Sequence, residues 1–317
     1  MPLKKKFLKF SSFRTVSEQE NRIPSREPEH VKGIFELGKN LLLLLGFFLV
    51  GVTIAGSLSG YVKGNGSFPF FVQATLQSIC AFIIPTLILN WILHKENKTL
   101  IDLGARPEWS KMLVAFGLAV LGMAALNQII YWNENISLPD SWKSVEEQWR
   151  HAEEVNGDFY QHLTSGTDLG SLLAGILIVG ILTGLGEEFF FRGGMLGLMI
   201  KGALGRHWSV WIVAVVFSLM HFQMFGFIPR LLLGAWFGYL YIWSGRIWLP
   251  VAAHAFNNSV VVLTAWLCHN KFIPQEADSF GVSASGFPWI AMLSVILFTL
   301  ALIPARKYII RNGQEIR

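Results

Sequence analysis

Acidic residues are nearly absent from the middle of this chain. Between positions 169 and 268 the only two are Glu187 and Glu188. Charged residues make up 15% of the 317 positions while 52% are hydrophobic, against about 25% charged in soluble domains. A stretch so poor in acids cannot present an ordinary wetted surface, and lipid is its natural solvent. Cysteine is scarce as well. Cys80 and Cys268 form neither a disulfide framework nor a CxxC metal knuckle, and Cys80, inside an apolar run, reads as a small core residue. There is no HExxH motif, no internal repeat and no low-complexity tract. A serine triad is also excluded: Ser218 precedes His221 by three residues, but neither it nor Ser259 has an aspartate to complete the set. The net charge of +5 sits in short basic clusters between apolar runs, as membrane topology requires, and not in one basic domain of the kind that binds nucleic acid.

What is present is apolar length. A helix needs roughly 20 apolar residues to span the hydrocarbon. Eight segments qualify, at about 38–58, 69–93, 112–132, 169–200, 207–225, 229–244, 248–267 and 287–304, the sixth being short. The expected fold is therefore all-α, a polytopic transmembrane helix bundle of about eight spans. The basic tail 1–32, with Lys4, Lys5, Lys6, Lys9 and Arg14, is too long and polar for a cleaved signal. Lys and Arg placement favours both termini in the cytoplasm, in a bacterial inner membrane. The outer loop 133–168 repeats Trp142, Val145, Trp149 and Ala152 at helical spacing after Pro139, which suggests an amphipathic helix at the membrane surface. The chain divides into the tail 1–32, an N-terminal membrane region 33–168 with three spans and the outer loop, a core 169–268, and the last span with its C-terminus, 269–317.

The polar residues inside the spans are few, and a charge at the bilayer centre costs at least ~2.5 kcal/mol. Glu188 and Arg192 are four apart and share a helix face, so they can pair. Glu187 is turned about 100° away and faces something else. The acidic pairs Glu146-Glu147 and Glu153-Glu154 lie in the polar loop beside Lys143 and Arg150 and read as a solvated face. Of eight histidines only His221 and His254 fall within apolar spans, and Asn258 follows His254 by one helical turn. Glu187 and His221 are each 14 residues from the 201–207 connection, so antiparallel packing puts them at one depth. His254 is only eight residues past Arg246. To reach that depth, the 245–249 segment would have to enter the membrane as non-helical chain with Pro250 opening the next helix. The expected site lies between the fourth, fifth and seventh spans.

Three elements in order, Glu187-Glu188-x-x-x-Arg192, Phe217-x-x-x-His221 and His254-x-x-x-Asn258, resemble the CAAX protease and bacteriocin-processing (Abi) family of intramembrane endopeptidases. That family includes the type II CAAX prenyl endopeptidases. The resemblance covers about 169–268, with a weaker feature at Leu103-Gly104-Ala105-Arg106-Pro107. It implies a protease in which Glu187 is the general base and Glu188 with Arg192 the supporting pair. His221 would help hold the water, and His254 and Asn258 would stabilise the oxyanion. No cofactor is the preferred expectation. The alternative is a zinc enzyme with Glu187, His221 and His254 as ligands. The expected partners are the lipid bilayer and a membrane-associated protein or peptide substrate, with no nucleic acid. The rival classes are a small-molecule transporter and a non-proteolytic immunity or scaffold factor. A transporter usually shows repeated halves or several interrupted helices.

Overall fold

The structure, a computed structural model, describes residues 29–64, 66–96, 98–104, 106–202 and 204–311. The basic tail expected over 1–32 lies almost wholly outside them. Among the described residues nine long helices follow one another: α1 (Glu29–Ser59), α2 (Phe68–Lys95), α3 (Trp109–Glu134), α4 (Lys143–Thr164), α5 (Leu169–Met199), α6 (Arg206–Leu219), α7 (Met224–Ser244), α8 (Trp248–His269) and α9 (Trp289–Arg311). No strand occurs among the described residues. Seven helices, all but α4 and α6, are long and apolar enough to cross a membrane. Large apolar side chains such as Leu42 and Leu49 on α1 and Leu293, Ile296 and Leu300 on α9 point outward. A lipid solvent accounts for that exposure, and the chain is an integral membrane protein.

The fifth expected span, 207–225, is where sequence and structure differ most. Helix α6 has 14 residues, about 21 Å at 1.5 Å per residue, which falls short of a hydrocarbon core of about 30 Å. It stops because the chain reverses at Met220, with Phe222 in the left-handed region at φ 53°. Polar ties fix the reversal. Ser218 Oγ donates to the Phe227 carbonyl at 2.7 Å, and the Asn133 side chain accepts from Ile228 N at 2.8 Å. Helix α7 starts earlier than the sequence suggests and gains spanning length, 21 residues against the 16 of the expected 229–244. The turn between α7 and α8 is short. Gly245 closes α7 in the left-handed conformation, φ 66°, and α8 begins at Trp248, so Pro250 falls in its first turn and not at its start. Proline is tolerated there because the first helical N–H groups lack an intrahelical acceptor.

The helix expected in the 133–168 loop is α4. Its Trp149 ring packs against Phe225, and Glu153 accepts the Phe225 backbone N–H at 2.8 Å. Glu146 accepts from Leu138 N and from Arg150, which holds its carboxyl below the usual range. One member of each acidic pair thus ties the helix down, a role the solvated-face reading omitted. At its end α4 buries Leu163 in a small cluster with Phe71, Leu172, Val179 and Val262.

Helix α5 runs through the middle of the bundle. It is not a uniform α-helix. Two wide, π-type turns, Ile176–Leu182 and Phe189–Leu196, flank the α-helical segment Thr183–Glu188. Such turns occur often at functional sites. Helix α8 lies against this region, and glycine sets the distance. A Cβ on Gly180 would fall 2.3 Å from Ser259 Oγ, and one on Gly184 3.0 Å from Ala255 N. Gly180 and Gly184 are thus a small-xxx-small contact that lets two membrane helices approach backbone to backbone. One turn further along α5 is Glu187.

Candidate active site

The close approach of α5 and α8 brings two adjacent carboxylates to one imidazole. Glu188 Oε1 is 2.7 Å from His254 Nδ1, and Glu187 Oε2 is 3.8 Å from His254 Nε2. Neighbouring helical residues diverge by about 100°, which is why they meet the ring from different sides. Glu188 is fully buried, whereas Glu187 keeps some exposure.

Glu188 does two jobs with one oxygen. Its Oε1 also accepts from Arg192 Nη1 at 2.7 Å, and Arg192 Nη2 donates to the Gly234 carbonyl of α7 at 2.6 Å. The fully buried guanidinium lies 4.9 Å from the Phe217 ring centroid and 5.4 Å from that of Phe237. Aromatic faces attract a desolvated cation, so the buried charge is neutralised by Glu188 and cushioned by the rings. Phe237 also stacks on His254, with centroids 4.7 Å apart and planes at 14°. The imidazole is thereby held in plane by a ring and in rotation by a carboxylate.

The hydrogen-bond partners fix both histidine tautomers. An ionised carboxylate only accepts, so His254 carries a proton on Nδ1 and its Nε2 faces Glu187. His221 Nδ1 lies 2.8 Å from the Phe217 carbonyl, which also only accepts, so its Nε2 is the free nitrogen. His221 sits in the turn just past α6, not inside a helix. Phe217 links it to the centre, edge-on to His221 at 4.9 Å and to His254 at 6.0 Å. His221 also lies within the field of both Glu187 and His254.

Asn258, one turn beyond His254, gives one N–H to the Val179 carbonyl at 3.2 Å and accepts from Asn257. Val179 belongs to the first wide turn of α5. Asn258 therefore touches α5 but not the Glu–His–Arg cluster itself, and one amide proton remains to it. Glu187, Glu188, Arg192 and His254 are joined by short contacts, His221 is attached through Phe217, and Asn258 flanks the group. Phe237, the Gly234 carbonyl and the Gly180–Gly184 pair were not picked out in the sequence. Only the two glycines carried a signal there, their spacing of four in an apolar run.

Among the described residues no group of three or more His, Cys, Asp or Glu side chains comes together closely enough to hold a metal ion. The zinc set of Glu187, His221 and His254 is thus not gathered as three ligands.

A helical membrane bundle with a buried carboxylate–imidazole–guanidinium cluster between two closely packed spans defines the class of this protein. Residues 169–260 match the family model described as Type II CAAX prenyl endopeptidase Rce1-like. The match runs from the start of α5 into the middle of α8 and contains all six candidate residues. It agrees with the CAAX protease and bacteriocin-processing family that the motifs resemble, a family of membrane proteases. No curated protein and no solved structure matches the chain.

Proposed function

We propose that this chain is an intramembrane endopeptidase that hydrolyses a peptide bond of a membrane-associated protein or peptide with water activated by Glu187. The observation that carries the reading is the division between the two glutamates. Glu188 is consumed by Arg192 and His254, while Glu187 makes no contact with Arg192 and faces His254 Nε2 across 3.8 Å. A carboxylate left out of the Arg192 pairing and held 3.8 Å from an oriented imidazole can share one water with it from the side, and that is where a nucleophile can be prepared.

In this mechanism Glu187 takes a proton from water as the water oxygen attacks the scissile carbonyl carbon. The water's second hydrogen is held by His221 Nε2, an acceptor because Nδ1 carries the proton. The oxyanion needs donors. A neutral His254 has its proton on Nδ1 and cannot donate from Nε2. With Nδ1 turned to Glu188, it donates to the oxyanion from Nε2 only when both ring nitrogens carry protons. Asn258 supplies a second N–H. Collapse of the tetrahedral intermediate breaks the C–N bond, and Glu187 returns its proton to the leaving amine. Glu188 and Arg192 position His254 and touch no reacting atom.

The test compares protein termini in membranes of cells carrying the wild-type chain or Glu187→Gln at equal abundance. The variant should lose a specific set of cleaved termini and accumulate the uncleaved precursors. Identical termini in the two, or full activity of the purified Gln variant on a peptide spanning such a cleavage site, would sink the assignment.

A further inference from the structure

Away from the site, three chain reversals meet at one end of the bundle: the loop after α2, the end of α5, and the α7–α8 turn. They enclose a cavity of about 220 Å³. Its wall holds Lys201 and Arg246 as cations, Asp102 as the one carboxylate, and Tyr241, whose hydroxyl lies beside Gly197. Ile247 also lines it. That residue is the N-cap of α8, and no side chain caps the helix there.

The charge around this cavity does not balance. Arg246 gives Nη1 to the Arg106 carbonyl at 2.8 Å, and its Nε lies 3.3 Å from Glu108. Glu108 is shared, because Lys111 Nζ is 2.8 Å from its other oxygen. Lys201 donates to the Thr99 carbonyl at 3.1 Å. Asp102 turns one oxygen back to Gly104 N. Arg246 thus shares its carboxylate with Lys111, and among the described residues no acid lies within ion-pair distance of Lys201. Partial burial holds the Lys201 ammonium below its ordinary range, so the lone charge is in an environment that an anion would improve.

Depth fits a headgroup. Glu187 is 12 residues before the end of α5 and His254 six after the start of α8, roughly 18 and 9 Å along their axes. Because the two side chains meet, the α7–α8 turn is recessed by about 9 Å from the end of α5. Lys201 lies just beyond that end, over the recess. Basic pockets between spanning helices at this level suit anionic lipid headgroups, and a helix N-terminus at the floor adds N–H donors for an anion.

We propose that this cavity binds a phosphate group, that of an anionic phospholipid headgroup or free phosphate, with Lys201 and Arg246 as its cationic contacts. This inference does not rest on the proteolytic reading. The experiment uses the detergent-purified full chain. Its melting temperature is titrated with phosphatidylglycerol, with phosphatidylcholine and with inorganic phosphate, and bound lipid is counted by native mass spectrometry. Phosphatidylglycerol should stabilise the chain and be retained, and phosphatidylcholine should do neither. Lys201→Gln should weaken the apparent affinity about fivefold, the contribution of one cation near an anionic headgroup. Lys201→Arg should retain it, and Lys307→Gln, a basic position on α9 that does not line the cavity, should leave it unchanged. Stabilisation by inorganic phosphate at millimolar concentration that Lys201→Gln abolishes would identify free phosphate as the source. Equal responses to both lipids with none to phosphate, or the same response in Lys201→Gln as in wild type, would overturn the proposal.

Discussion

Replacing Glu188 by alanine removes one carboxylate and strands two partners. Arg192 loses the only acid that contacts it and His254 loses the acceptor of its Nδ1 proton, both in a fully or nearly fully buried setting. Breaking a buried ion pair from one side typically costs about 3–5 kcal/mol. Arg192 keeps the Gly234 carbonyl and the Phe217 and Phe237 faces, so the lower end, about 3 kcal/mol, is expected. Against a total stability of about 5–15 kcal/mol that is a large share. Membrane accumulation and the unfolding midpoint in mixed micelles should both fall. A double-mutant cycle with Arg192→Met isolates the pair. Contacting residues in one network couple by about 0.5–3 kcal/mol, and about 2 kcal/mol is expected here. Rescue should be partial, since His254 still lacks its acceptor in the double variant. If Glu188→Ala abolishes activity but unfolds like wild type, or if the coupling is below about 0.5 kcal/mol, the division of roles between the two glutamates is wrong.

Asn258→Ala should lower turnover about 100- to 1000-fold, the usual loss for an oxyanion donor, with substrate affinity little changed; a selective rise in KM would assign it to binding instead. Purified protein should contain less than one equivalent of zinc, and stoichiometric zinc that disappears in His221→Ala, with activity restored to the apo protein by added zinc, would overturn the metal-free mechanism. Gly184→Ala should press its Cβ on Ala255 N of α8 and separate Glu187 from His254, so turnover should fall while the protein still inserts; wild-type turnover would show that the helix spacing is not critical. Asp168 caps α5 by accepting from Ser171 N and Oγ, which holds its carboxyl below the usual range. Its contribution is present above the unfolded carboxylate range and is lost as pH falls through the depressed folded value. Amide exchange in the first turn of α5, corrected for intrinsic rate, should therefore rise in that acidic window in wild type, and at all pH values in Asp168→Ala.

The sequence carried the helical class, the spans and the identity of the polar cluster because lipid makes buried charge rare. Glu187, Glu188 and Arg192 stand out when no other acid occurs for a hundred positions. The pairing of Glu188 with Arg192 followed from a spacing of four and is present at 2.7 Å. The second partner of Glu188 was not legible, since no periodicity relates position 188 to position 254. The depth of His254 stayed open for a similar reason. Counting from Arg246 takes the α7–α8 turn as level with the end of α5, and it is recessed from that end by about 9 Å. The shortness of α6 escaped because Met220, Phe222 and Phe225 continue the apolar run. Hydropathy cannot see a reversal made by a left-handed Phe222 and by side-chain bonds from Ser218 and Asn133.

The two wide turns of α5 give the glutamates a rotational frame of their own. A wide turn holds more residues per revolution than an α turn, so each one resets the azimuth of everything beyond it. The segment Thr183–Glu188 is phased by its glycine contact with α8 and is uncoupled from the two ends of its own helix. Deleting one residue within Phe189–Leu196 should let that turn relax to ordinary α pitch. The Glu187–His254 approach should survive, and because the wide turn carries one residue more than the α turn that replaces it, the stretch from Gly197 to Met199 should keep its register with α1 and α7. The same deletion placed inside Thr183–Glu188, an α-helical segment with no surplus residue to give up, should rotate the carboxylates by about 100° away from the imidazole.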